Sequence, residues 1–436
     1  MNVLAINPWI YDFAAYDFWL KPYGFLVILS YLKNAGVTID YVDCLDKKKH
    51  PGLFGRSKYQ SQKIPNPALF KKSGRQFKRY GISLEEFART LDNKNPDFIL
   101  MTSSMTYWYP GVIEAANILR RRFPATPIFL GGTYATLCHE HAKKNIPCDQ
   151  VFKNDSLKDF FSRLGQKFDA QKFFATLPDY GYFYPDAGYA VLRTSWGCPF
   201  KCSYCAIGAL SQKFRRIPAK NVLAFIFRCA RQGIKDFALY DDAFLYQPQY
   251  AKDLLSKIAA AKQNLRFHTP NALHLRFVDD RLCRLLRDAG FIDPHFGLET
   301  LNPALQKVWS EKATVQDLER TSRLMRQAGF KPGEFSVYLL LGYPGQNLAE
   351  LKKDADYLHS LGVKISLAEF SPVPGTKIFD EHKENFSEPL LQNNSVFAGF
   401  LPEQAQEIRE IKNYVNKLNK TFFSRALTDP ANTPQT

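Results

Sequence analysis

The sequence predicts a two-domain α/β protein. An N-terminal Rossmann-like domain covers residues 1–164, a linker 165–189, a (β/α)6 partial TIM barrel 190–385, and a helical C-terminal extension 386–436. Three observations predict this. The chain has 436 residues and a mass of 50.0 kDa, more than one core holds, because single cores stop growing near ~250–300 residues. Strand and helix patterns alternate along most of its length, the mark of parallel strands joined by crossovers. The alternation breaks at Pro178-Asp179-Tyr180-Gly181-Tyr182-Phe183-Tyr184-Pro185, a run of turn formers and aromatic rings.

In order along the first domain, Asn2 to Asn7 is an apolar strand. Tyr23 to Ala35 repeats at helical spacing and ends on Gly36, and Val37 to Leu45 alternates as a strand. Ser83-Leu84-Glu85-Glu86 carries the Ser-x-x-Glu capping pattern that opens a helix. A buried strand over Asp97 to Ser103, a helix over Gly111 to Arg122 and a strand over Pro127 to Leu130 follow, the last closing on Gly131-Gly132.

The second series has strands at Ala190 to Thr194, Asp236 to Tyr240, Leu265 to Thr269, His295 to Leu298, Phe335 to Leu341 and Ile365 to Phe370. Helical patterns fall between them at Ala219 to Gln232, Tyr250 to Lys262, Asp279 to Ala289, Val315 to Ala328 and Leu348 to Leu361. Six such units suit a closed or partly closed parallel barrel, with the ligand at the carboxyl ends of the strands. The tail holds a helix from about Glu403 to Phe423 and a polar end expected to fray.

Composition excludes several classes. With 45% hydrophobic and 23% charged residues the chain is neither disordered nor fibrous. It has no run of about 18 apolar residues, and its start, MNVLAINPWIYDF, lacks the basic and apolar regions of a signal peptide, so the expectation is a cytoplasmic protein without a membrane span. The formal charge is +16, and Lys47 to Tyr80 holds eleven Lys or Arg and no acid. That run reads as a solvated basic excursion rather than a nucleic-acid arm, although it could attract an anionic substrate.

Eight cysteines without a secretory leader argue against a disulfide framework. Five are scattered through apolar contexts such as Ile226-Phe227-Arg228-Cys229, as small buried hydrophobes. The other three crowd into Thr194-Ser195-Trp196-Gly197-Cys198-Pro199-Phe200-Lys201-Cys202-Ser203-Tyr204-Cys205, directly after the first barrel strand. Thiolates are soft ligands for iron-sulfur clusters or zinc. Structural zinc takes four protein ligands, usually as two pairs. A 4Fe-4S cluster can take three and leave one iron open to a bidentate small molecule, and the triplet points to that.

The Cys198-x-x-x-Cys202-x-x-Cys205 spacing, with Tyr204 before the last cysteine, resembles the signature of radical S-adenosylmethionine (SAM) enzymes. The resemblance covers about 190 to 385 and implies that Cys198, Cys202 and Cys205 hold a 4Fe-4S cluster whose open iron binds SAM. It further implies reductive cleavage to a 5'-deoxyadenosyl radical, with an electron donor such as flavodoxin or ferredoxin as partner. Tyr204 would flank the adenine, Asp241 and Asp242 would accept the methionyl ammonium, and Gly342 in Leu341-Gly342-Tyr343-Pro344-Gly345 would let backbone approach the adenine. Glu299 in Gly297-Leu298-Glu299-Thr300 stands at a strand's carboxyl end as a candidate catalytic group. His274 in Asn271-Ala272-Leu273-His274 reads as structural, and Ser371 to Thr376 as a motif or plain turn.

The N-terminal domain is similar to that of the cobalamin-binding subfamily, which also shares the late Glu388-Pro389-Leu390-Leu391-x-Asn393-Asn394-Ser395 stretch. Ser103-Ser104 and Gly131-Gly132 resemble two elements of the cobalamin fingerprint, while the Asp-x-His-x-x-Gly element is missing. The resemblance therefore implies a C-methyltransferase acting on an unactivated carbon of a small-molecule or anionic substrate, with cobalamin as a possible further cofactor. A cobalamin-independent radical cyclase or rearrangement enzyme is the alternative. From other classes, a zinc-stabilised RNA-binding protein would show zinc without sulfide, and a plain electron carrier would not bind SAM.

Overall fold

The computed structural model describes residues 1–46, 48–71, 73–211, 213–309, 312–395 and 404–428. The polar chain end and Glu403 of the expected tail helix lie outside these residues, as do Lys47 and Lys72 of the basic run. Two compact units divide the chain, one of residues 1–198, 204–236 and 372–396, the other of 199–203, 237–371 and 397–436.

In the first unit, Asn2–Asn7 runs parallel to Thr38–Asp43 on one side and Phe98–Met101 on the other, and Ile128–Leu130 and Gln150–Val151 extend the sheet. Numbered along the chain, the strand order is 5-4-3-1-2. The strands are apolar on both faces: Leu4, Ile6, Ile99, Met101, Ile128 and Leu130 enter one core cluster. The second helix starts where the capping pattern put it. The Ser83 hydroxyl accepts from Glu86 N–H at 3.1 Å, and the Glu86 carboxylate accepts from Ser83 N–H at 3.0 Å.

In such an order the direction of winding reverses between the first and third strands, and a ligand crevice opens at their carboxyl ends. Here the chain covers it. Ile10–Asp12 forms a short strand antiparallel to Lys78–Tyr80, which also pairs with Ser61–Lys63.

The basic run is solvated through its cations, Lys58, Lys63, Lys71 and Arg75 being exposed, but the segment itself is anchored rather than loose. Its cations alternate with rings, and Tyr59, Phe70, Phe77 and Tyr80 are buried, as is Arg79. Phe13 packs edge-on against both Phe70 and Phe77 at 5.4 and 5.1 Å. Aromatic residues spaced through the run provide the buried face that a charge count conceals.

The segment expected as a linker carries the short helices Ala170–Ala175 and Tyr180–Phe183, with Phe173, Tyr180, Phe183 and Tyr184 buried. The late segment 388–395 also belongs to this unit. Asn393 Nδ2 donates to Asp12 Oδ1 at 2.9 Å, Tyr109 Oη donates to Glu388 Oε1 at 2.8 Å, and Leu390 joins the core.

The six expected strands of the second series form at Tyr189–Leu192, Asp236–Leu239, Arg266–His268, His295–Glu299, Ser336–Leu341 and Lys364–Glu369. The pair Leu273–His274 adds to them. In the second unit, Leu273–His274, His295–Glu299, Ser336–Leu341 and Lys364–Glu369 make one parallel sheet, with a register shift between Gly297 and Glu299. Helices Asp280–Asp288, Val315–Gln327 and Leu348–Ser360 bury Leu282, Leu286, Leu318, Met325, Leu351 and Leu358. The tail helix, Ala405–Thr428, belongs to this unit. Asn419 brackets Ile365, its Oδ1 accepting from the Ile365 N–H at 3.0 Å and its Nδ2 donating to the Ile365 carbonyl at 2.8 Å. Among the described residues no helix is long and apolar enough to cross a membrane.

Candidate functional site

The cysteine loop leaves a two-residue strand, Ser195–Trp196, that pairs with Arg215–Arg216. Gly197 makes the exit turn at φ 68°, where a Cβ would meet the Lys213 carbonyl oxygen at 2.7 Å, so only glycine fits. Cys198 and Cys202 are half-buried and Cys205 is exposed. Four of the five scattered cysteines, Cys44, Cys138, Cys229 and Cys283, are buried, and Cys148 is half-buried. Burial pushes the thiols of Cys138, Cys229 and Cys283 up to about 12 and that of Cys148 to about 11, which keeps them protonated and poor ligands. Among the described residues no three His, Cys, Asp or Glu side chains are grouped so as to hold a single metal ion. A cubane is a larger object than an ion and holds its thiolates farther apart. Three accessible thiols on one loop suit its ligand chemistry.

Between the first two cysteines Phe200 stacks on His274 at 4.8 Å, and just past the second Ser203 N–H donates to the Trp309 carbonyl at 2.9 Å. His274 is 4% exposed and its Nδ1 has no hydrogen-bond partner among the described residues. Burial, with Lys312 and Arg276 nearby, lowers its pKa to about 3, so the ring is neutral. The expected structural histidine thus carries one buried, unpartnered ring nitrogen.

Asp241 is buried and Asp242 half-buried, just past the strand Asp236–Leu239, and Asn271 Nδ2 donates to the Tyr240 carbonyl at 3.1 Å. The two carboxylates do not cap the following helix, which begins at Pro248 with Gln247 as its N-cap. That removes helix capping as the explanation for the pair.

Glu299 ends its strand in the left-handed region at φ 72°, a conformation that costs a residue with a Cβ about 1–3 kcal/mol. It is 7% exposed, and its Oε1 takes Lys312 Nζ at 2.7 Å. Sequence reasoning missed Lys312, an isolated lysine with no motif around it. Strained backbone and buried ion pairs are features that cluster at functional sites, and here the two coincide at a strand's carboxyl end.

Past the fifth strand, Gly342 N–H donates to Gln346 Oε1 at 2.8 Å, and Gln346 Nε2 donates back to the Leu340 carbonyl at 2.6 Å. Tyr343 packs on Trp309 at 4.4 Å and on Phe370 at 5.5 Å. The Ser371 to Thr376 stretch ends as a cap, Thr376 Oγ1 accepting from Phe379 N–H at 3.2 Å.

At the crevice of the N-terminal sheet, Ser103 Oγ donates to the Gly131 carbonyl at 2.7 Å and accepts from Ala135 N–H at 3.1 Å, and Tyr134 N–H donates to the Ser104 carbonyl. The two fingerprint-like elements thus meet. The cavity beside them, lined by Asn7, Trp9, Thr102, Ser103, Ser104 and Trp108 among others, is about 10 Å³, room for about one water. Trp9 Nε1 donates to the Ile82 carbonyl at 2.7 Å and Trp108 Nε1 to Asp12 Oδ2 at 2.8 Å, which fixes both indoles as its cover. The position and the small polar residues fit a nucleotide tail. The volume does not.

Residues 193–358 match the Radical SAM superfamily. An uncharacterised methyltransferase of Pyrococcus horikoshii is 19% identical over 69% of this chain and 72% of its own. An uncharacterised protein of Methanopyrus kandleri is 26% identical over 42% of the chain and 38% of its own length, and a ribosomal protein uS12 methylthiotransferase of Phocaeicola vulgatus is 21% identical over 47% and 49%. The chain thus spans less than half of these two relatives.

Among solved structures, the radical SAM methyltransferase TsrM of Kitasatospora setae, with cobalamin and a [4Fe-4S] cluster bound, superposes with a TM-score of 0.64 at 18% identity, over 88% of this chain and 78% of that one. The cobalamin-dependent radical enzyme OxsB, with aqua-cobalamin and SAM bound, gives 0.58 at 13%, over 91% and 56%. At these identities the likeness is one of fold.

Proposed function

We propose that this chain, a member of the radical SAM superfamily, cleaves SAM at a cluster held by Cys198, Cys202 and Cys205 and acts on an unactivated carbon of its substrate. The single observation that carries the reading is the contrast between three accessible thiols on one glycine-initiated loop and the buried thiols of Cys44, Cys138, Cys229 and Cys283. When bound, the cluster and SAM supply a 5'-deoxyadenosyl radical. The chain's own groups hold and orient. Asp241 and Asp242 accept hydrogens of the methionyl ammonium, as ionised carboxylates do. Tyr204 offers its ring to the adenine. Glu299, its carboxylate aligned by Lys312, holds a polar group at the strand ends. Neutral His274 presents an unpartnered ring nitrogen beside Phe200 of the cysteine loop.

C-methylation is the finer reading. The Pyrococcus relative, a named methyltransferase, and the fold shared with TsrM support it. Ser103, Ser104, Gly131 and Gly132 would border a cobalamin tail, and its entry requires Trp9 and Trp108 to leave the crevice. The filled crevice favours a second reading, a cobalamin-independent radical cyclase or rearrangement enzyme.

Protein reconstituted anaerobically with iron and sulfide, then given SAM and a low-potential reductant, is expected to release 5'-deoxyadenosine and methionine. Cluster-replete protein that releases neither overturns the enzyme reading. Titration with cobalamin, followed by its visible spectrum, separates the two finer readings: one equivalent bound supports methyl transfer through cobalamin, and none leaves the cyclase or rearrangement.

A further inference from the structure

Between Ala187 and Lys235 the chain holds nine Lys or Arg and no Asp or Glu, and the cysteine triplet lies inside this stretch. Lys213, Arg215 and Lys220 are exposed, and among the described residues none of the three makes an ion pair. Arg215 is directly opposite Trp196 in the short hairpin whose first strand leads into Gly197 and Cys198. Its guanidinium lies 4.6 Å above the Phe174 ring, and Trp196 Nε1 donates to the Phe174 carbonyl at 3.1 Å. On the other side Arg193 lies over the rings of Trp196 and Tyr23, at 5.6 and 5.9 Å. Arg215 and Arg193 are thus held against aromatic rings, with less to lose on binding than free side chains. Cys205, on the same loop, is exposed.

We propose that the face carrying Lys213, Arg215 and Lys220 beside the cysteine loop is the docking surface for an acidic one-electron donor protein of the flavodoxin or ferredoxin kind. The proposal rests on the radical reading above, which needs an electron delivered to this loop. Exposed cations in a stretch that holds no carboxylate steer a negatively charged partner and favour one orientation of it. In the transfer itself one electron leaves the donor's reduced flavin or iron-sulfur centre and enters the cluster held by the cysteines, and no proton or group moves with it. The rings against Arg215 and Arg193 supply a flat, partly apolar contact. Binding of an anionic substrate is the competing use of the same cations.

The test compares two reductants on anaerobically reconstituted full chain, wild type and the triple variant Lys213→Glu, Arg215→Glu, Lys220→Glu. The readout is 5'-deoxyadenosine formed from SAM without added substrate, so substrate binding does not enter. With a recombinant acidic flavodoxin, reduced beforehand, the concentration for half-maximal rate is expected to rise about tenfold or more, and the rate to lose most of its dependence on ionic strength. With saturating dithionite the rate should match wild type.

An unchanged flavodoxin dependence overturns the proposal. So does an equal loss with both reductants, found also in the milder variant Lys213→Gln, Lys220→Gln, since the cations would then serve the fold or the cluster. Wild-type protein inactive with dithionite refutes the radical reading itself, and the docking surface with it. Wild-type protein active with dithionite alone refutes only the docking surface.

Discussion

Lys312 Nζ stands 2.7 Å from Glu299 Oε1, with both side chains about nine-tenths buried and Glu299 held at φ 72°. Removing one partner of such a pair leaves a buried charge and costs about 3–5 kcal/mol. Glu299→Gln and Lys312→Met are each expected to lower the unfolding free energy by that order, while the double variant recovers much of it. All three should slow 5'-deoxyadenosine formation by at least about tenfold, equivalent to ~1.4 kcal/mol of barrier. Urea unfolding and product assays on the same preparations check both halves. Stability restored in the double variant together with full activity would reduce the pair to a structural contact.

His274 predicts a pH dependence. Burial, with Lys312 and Arg276 nearby, lowers its pKa from 6.5 to about 3. Between those values the unfolded chain binds a proton that the folded chain does not, so stability falls as pH drops from about 6.5 towards 3. The slope approaches ~1.4 kcal/mol per pH unit for this one group. His274→Phe keeps a ring to stack on Phe200 and removes the titration. The difference in unfolding free energy between wild type and this variant, measured at pH 7.5 and 5, should shift by about 1–2 kcal/mol against wild type at the lower pH. A difference independent of pH would mean that the imidazole is solvated.

Much of this was legible in the residues because parallel strands buried on both faces read as apolar runs, and because Ser83 and Glu86 write their cap locally. The cysteine loop announced itself by spacing. What stayed hidden depends on contacts far apart in sequence. The strand Ile10–Asp12 pairs with Lys78–Tyr80 across an insertion whose lysines mask its buried rings. Asn393 reaches Asp12 at the opposite end of the chain. The strain at Glu299 is a backbone angle, and nothing in Gly297-Leu298-Glu299-Thr300 specifies it.

The paired glycines after the fourth strand of the N-terminal sheet should respond very differently to substitution. Gly132 adopts φ 99° and ψ −168°, and a Cβ there would lie 2.2 Å from the Ser103 carbonyl oxygen, a backbone atom that cannot swing away. Gly131 has nothing within 4 Å of the same position. Gly132→Ala is expected to cost about 2–5 kcal/mol, backbone strain and overpacking together. Gly131→Ala should stay within about 1 kcal/mol. Thermal unfolding of the two variants tests this, and equal costs would show that the loop can shift off Ser103.

The cysteines give the sharpest division. Cys198→Ala, Cys202→Ala and Cys205→Ala each remove one of three thiolates, and a cubane with two protein ligands is not retained. Each variant should therefore lose most of its iron and sulfide after reconstitution and desalting, along with all 5'-deoxyadenosine formation. Cys229→Ala is the matched control. Its thiol sits buried on the helix Ala219–Arg231 with its pKa pushed up to about 12, so it behaves as a small hydrophobe. Losing it leaves a small cavity worth about 1–2 kcal/mol, and the variant should keep the wild-type ratio of iron to protein and the wild-type rate. Zinc, rather than iron and sulfide, retained in proportion to the three loop cysteines would assign the loop to a structural metal and end the radical reading.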